Sequence, residues 1–80
     1  MKKYKLVAVD WLDAESVAGW RSMENVKELT SPVITTVGFL ILNNDKIVVV
    51  VQSIADGEYL GCTTIPKGMV KRIKIIPYEQ

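Results

Sequence analysis

The chain has 80 residues, 49% of them hydrophobic and 24% charged, which suits one folded domain spanning 1–80 and excludes an intrinsically disordered chain. Ten basic side chains oppose nine acidic ones for a net charge of +1, too small an excess for a protein that lives by neutralising nucleic-acid phosphates. There is no histidine and one cysteine, so histidine-based triads, histidine-ligated metals and intrachain disulfides are all excluded.

Residues 4–11 (YKLVAVDW) form the first predicted strand, with Val7, Val9 and Trp11 on one face and Tyr4, Leu6, Ala8 and Asp10 on the other. Three lysines precede this stretch. The apolar run after them is only four residues and Asp10 and Asp13 follow, so it does not read as a signal peptide. No stretch approaches the roughly 20 apolar residues of a membrane span. Cys62, without a partner, reads as a small buried hydrophobe in a reducing compartment, and the expected location is the cytosol.

Residues 12–32 carry few β-branched residues, with Gly19 as a break and Pro32 as a stop, and read as a long loop containing a short helix. Ser22 is a candidate cap for a helix in which Met23, Val26 and Leu29 face the core. Residues 33–42 and 46–54 are the next two predicted strands, joined by a hairpin through Asn43-Asn44-Asp45. Asp56-Gly57 is the following turn, and residues 59–65 are the fourth strand. Pro66-Lys67-Gly68-Met69 then predicts a 3₁₀ turn, and residues 70–76 a last strand with Ile73 and Ile75 inward and Arg72 and Lys74 outward. The expected fold class is mainly β. By fold-level analogy, five short strands, a long insertion after the first and a 3₁₀ turn before the last make a small SH3-like or Sm-like barrel.

The runs Phe39-Leu40-Ile41-Leu42 and Ile47-Val48-Val49-Val50-Val51 are apolar on both strand faces. One face can fill the core; the other must be covered, either by residues 12–32 folding back or by a second subunit. An 80-residue domain buries only about 60% of its unfolded surface, which favours a homo-oligomer.

Chemistry-bearing residues are sparse. Asp10 and Asp13, with Glu15 nearby, are clustered carboxylates with no nucleophile, base or phosphate loop beside them, so no catalytic residue and no cofactor is expected. Trp11 and Trp20 offer either stacking platforms for bases or plugs for the ends of the fold. Arg21 is placed to pair with a phosphate. Lys67, Lys71, Arg72 and Lys74 make a modest basic patch that suits a small phosphate-bearing ligand or merely a solvated face.

Val9-Asp10-Trp11, Asp13-Ala14, Gly19-Trp20, Thr36-Val37-Gly38-Phe39-Leu40-Ile41, Val50-Val51-Gln52-Ser53 and Ile65-Pro66-Lys67-Gly68-Met69-Val70 follow one another in an order that resembles a widespread family of very small phage-encoded proteins. The resemblance spans nearly the whole chain. It implies a sponge protein, which sequesters cyclic nucleotide signals of bacterial anti-phage (CBASS) defence without degrading them. It further implies a tetramer, residence in the cytoplasm of the infected host, and cyclic dinucleotides of the cyclic GMP–AMP type as ligands. On that reading Trp11 and Trp20 would stack on bases or frame the pocket, Arg21 and Lys67 would meet phosphates, and Thr36 and Ser53 would supply hydroxyls to base edges or phosphates. The competing expectations are an Sm-like module binding single-stranded RNA, and a structural or host-protein-binding phage protein.

Overall fold

Each β-branched run becomes a strand in the computed structural model, which describes residues 4–13, 19–24 and 32–79. The strands are β1 (Leu6–Leu12), β2 (Val33–Asn43), β3 (Ile47–Ala55), β4 (Glu58–Pro66) and β5 (Val70–Ile76), each within two residues of its expected bounds. They form a single antiparallel sheet in the order β4-β3-β2-β1-β5. The expected 3₁₀ turn, Lys67–Met69, carries the chain from β4 to β5 on the opposite edge of the sheet. Among the described residues no ladder joins β4 to β5, so hydrogen bonding does not close the sheet into the expected barrel.

Turn chemistry sets the register of the two hairpins. Asn44 accepts the amides of Lys46 and Ile47 on its Oδ1, at 2.8 and 2.9 Å, which folds the chain back between β2 and β3. Asp56 and Gly57 both take positive φ, 51° and 79°, as a two-residue type I′ hairpin between β3 and β4 requires. At Gly38 the sheet is too tight for any other residue. A Cβ there would lie 2.6 Å from the Val51 carbonyl oxygen.

The core lies on one face. Val7 and Val9 of β1, Val48 and Val50 of β3 and Ile65 of β4 are buried together, with Trp11, Leu40, Met69, Val70 and Ile73 packed against them. All five strands contribute, so the sheet must curl about this face. The expected β1 alternation holds, with Val7, Val9 and Trp11 inward.

Three expectations are corrected. Cys62 is exposed rather than buried, Ile75 is 55% exposed, and Met23 is 82% exposed instead of facing the core. Ser22 Oγ does accept the Glu24 amide, at 3.3 Å. Val26, Leu29 and most of the predicted loop and its helix lie outside the described residues, and the part that is described, 19–24, is exposed throughout. The base of that segment is tied by a hydrogen bond from the Asp13 amide to the Pro32 carbonyl, 3.0 Å. Among the described residues no helix is long and apolar enough to cross a membrane.

Candidate functional site

The six residues expected to bind a ligand fall into separate places. Trp11 and Thr36 meet on the core face, where the indole Nε1–H donates to Thr36 Oγ1 at 3.0 Å. That contact satisfies the indole of a half-buried Trp and occupies the hydroxyl. Trp20 and Arg21 are exposed in segment 19–24, and Trp20 is 102% exposed. Lys67 donates from Nζ to Asn43 Oδ1 beside the β2–β3 turn. Ser53 pairs with Leu60 toward the far end of β3, while Lys67 follows Pro66, the partner of Ile47. Six residues of strand separate those registers, or about 20 Å. Only Trp11 and Thr36 are brought together by a direct bond.

The clustered carboxylate Asp10 is held in a polar network on the outer sheet face. Thr35 Oγ1 donates to its Oδ1 at 2.6 Å, and Arg72 donates to its Oδ2 from Nε and Nη2 at 3.2 and 2.8 Å. The Thr35 hydroxyl foremost, then the Arg72 guanidinium, hold its carboxyl below the ordinary 3.8. An acid so held stays ionised near neutrality, which suits pairing rather than proton donation. Among the described residues no group of three His, Cys, Asp or Glu is placed to hold a metal.

Instead, a half-open cleft of about 740 Å³ lies on the face opposite the core. Two departures from regular strand geometry build it. The first is a β-bulge in β2: Leu40 pairs with Val50, Leu42 with Val49, and Ile41 is the extra residue. A bulge breaks alternation, and here the consecutive Ile41 and Leu42 both line the cleft, each about two-fifths exposed. The second lies in the β3–β4 hairpin. Val49, Val51 and Cys62 line the cleft, but so do Ile54 and Tyr59, which regular alternation would send to the other side. The change of side falls between them, at Gln52 and Gly61. Ladder pairing lapses there, Gly61 takes φ 73°, and its missing Cβ leaves room for the Gln52 side chain.

Beyond this point both strands leave the core. Every residue from 52 to 62 is exposed, so the hairpin projects as an arm whose Ile54 and Tyr59 wall one end of the cleft. Tyr4 lies on its flank, with its carbonyl accepting the Tyr78 hydroxyl at 2.7 Å. Asp56 and Glu58 stand at the arm's tip, and among the described residues no Lys or Arg lines the cleft. Sequence periodicity could not have found this site, because both of its determinants break the period. The Asp-Gly turn flanked by Ile54 and Tyr59 was the available signal.

No family model, no curated protein and no solved structure matches this chain.

Proposed function

We propose that this chain is a non-catalytic capture protein which binds a cyclic dinucleotide of the cyclic GMP–AMP type and withholds it from the signalling of CBASS defence in an infected host's cytoplasm. The observation that carries the reading is the aromatic-flanked cleft. Its volume falls within the roughly 300–1,000 Å³ of small-molecule sites, and its lining is mostly apolar with a few polar groups at one end. Tyr59, 64% exposed, presents a ring on which a base can stack. Asp56 and Glu58 offer acceptors to the N1–H and N2–H₂ donors of a guanine edge, as carboxylates do for other base donors. Phosphates would face the open mouth, away from these acids. The reading therefore moves the stacking residue from Trp11, whose indole is already engaged, to Tyr59. Trp20 and Arg21 remain the alternative platform.

Calorimetric titration with a panel of cyclic di- and trinucleotides tests this. One class should bind tightly and be recovered intact after heat denaturation. Tyr59→Ala should weaken binding by about 5- to 150-fold, the worth of one stacked base at 1–3 kcal/mol. If Trp20→Ala and Lys67→Ala weaken it and Tyr59→Ala does not, the ligand sits at the basic segments instead. Silence across the panel overturns the reading. Affinity only for polynucleotides, falling steeply with salt, assigns the chain to RNA.

A further inference from the structure

Among the described residues two aromatic side chains line the cleft, Tyr59 on the arm and Tyr4 just before β1. The strand ladders fix how far apart they stand. The Leu40 amide donates to the Lys5 carbonyl, Leu40 pairs with Val50, and Val50 pairs with Thr63. Tyr4 therefore falls one step beyond the level of Thr63, and Tyr59 lies four steps to the other side. Sheet order adds three strand spacings between them, across β3 and β2. Measured over the sheet, the two backbones are about 20 Å apart, at opposite corners of the cleft.

Tyr4 lies outside the β1 ladder and is fixed by other contacts. Its carbonyl accepts the Tyr78 hydroxyl at 2.7 Å, and the carbonyl of the next residue accepts the Leu40 amide at 2.8 Å. Tyr78 is itself braced, its ring edge-on to Phe39 with centroids 5.7 Å apart. Phe39 pairs with Leu6 on one side and Val51 on the other, so the C-terminal segment ties residue 4 to the middle of the sheet.

From this geometry we propose that Tyr4 is a second stacking platform of the cleft, positioned by Tyr78, so that the site holds two bases at once, one on each tyrosine. The proposal rests on the nucleotide reading above and deepens it. Side chains stand roughly upright on a sheet, so the rings stay about as far apart as their backbones. Two stacking distances of at most about 7 Å each fall short of that gap, and one base cannot serve both rings. Two bases joined through a phosphodiester ring supply a face at each corner, above the apolar floor of Ile41, Val49 and Val51. A mononucleotide reaches one platform only and forfeits the gain of linked binding. The cleft thus selects dinucleotides by span.

Calorimetric titration with cyclic GMP–AMP tests this, with alkylation of Cys62, which lines the cleft, as the readout of where the ligand sits. The nucleotide should slow alkylation of the parent. Tyr4→Phe keeps the ring and should bind like the parent, while Tyr4→Leu should bind about 5- to 150-fold more weakly. Tyr78→Phe keeps the packing on Phe39 and loses only the hydroxyl contact, which should weaken binding about 2- to 12-fold. Tyr4→Leu combined with Tyr59→Ala should multiply the two single losses, because the platforms are distant and meet different bases. Parental affinity in Tyr4→Leu beside a loss in Tyr59→Ala would overturn the second platform and leave the nucleotide reading standing. So would equal losses in Tyr4→Phe and Tyr4→Leu, or a double variant no weaker than Tyr59→Ala alone. A parent that binds no cyclic dinucleotide, or binds one without protecting Cys62, would overturn both.

Discussion

Asp10 looks in the sequence like half of a carboxylate pair and proves to be the acceptor of a cross-strand network. Its register explains this: Asp10 stands opposite Thr35 on one side and Arg72 on the other, so three adjacent strands meet at one oxygen pair. A folded-state carboxyl held below 3.8 contributes stability that is present above that value and lost as pH falls through the lower folded-state one. Arg72 is largely solvated, with 73% of its side chain exposed, so the contribution is small and screened by salt. Denaturant unfolding of the parent and of Asp10→Asn between pH 2 and 7 checks it. The parent should be the more stable by a constant margin above about pH 4, and the margin should shrink below that. A margin independent of pH would mean that ionisation of Asp10 does not contribute to it.

At the scale of elements, the strands were legible and the site was not, for one reason. Alternation and turn residues located all five strands within two residues, because Val, Ile and Thr runs bounded by Asn-Asn-Asp, Asp-Gly and Pro-Lys-Gly leave little choice. The cleft depends on the two places where alternation fails, Ile41 and Gly61, and periodicity is blind to both. The expectation that Cys62 is buried rests on residue type alone, and its pairing with Val51 instead puts it on the cleft face. Gly61 is the sharper test of this account. Gly61→Ala forces a side chain into φ 73° and puts its Cβ within 2.7 Å of the Gln52 amide oxygen. The clash is with the end of a flexible side chain and is cheap to relieve; the backbone strain is not, and should cost about 1–2 kcal/mol in denaturant unfolding. Gln52→Ala added to Gly61→Ala should recover little of that loss. Full recovery would place the cost in the side-chain contact and not in the turned backbone that brings Tyr59 to the cleft.

The whole molecule divides its apolar residues unevenly between two faces. Val7, Val9, Val48, Val50 and Ile65 satisfy the core side, while Ile41, Leu42, Ile54, Tyr59 and Leu60 remain exposed on the bulged strand and the arm. In the homo-oligomer expected from the sequence, pairing would complete this burial and tie stability to the chain's own concentration, since unfolding then includes dissociation. The denaturant midpoint of the parent should rise when the protein is taken from about 1 to about 100 µM. For a dimer unfolding to two free chains, that hundredfold change is worth about 2.7 kcal/mol per dimer. Ile54→Ser/Tyr59→Ser removes apolar groups that are already exposed, so the variant should still fold, but its midpoint should no longer move with concentration. A parental midpoint fixed across the range would mean that the single chain, with its open cleft and projecting arm, is the complete folding unit, and the apolar surface would then be left for a ligand alone.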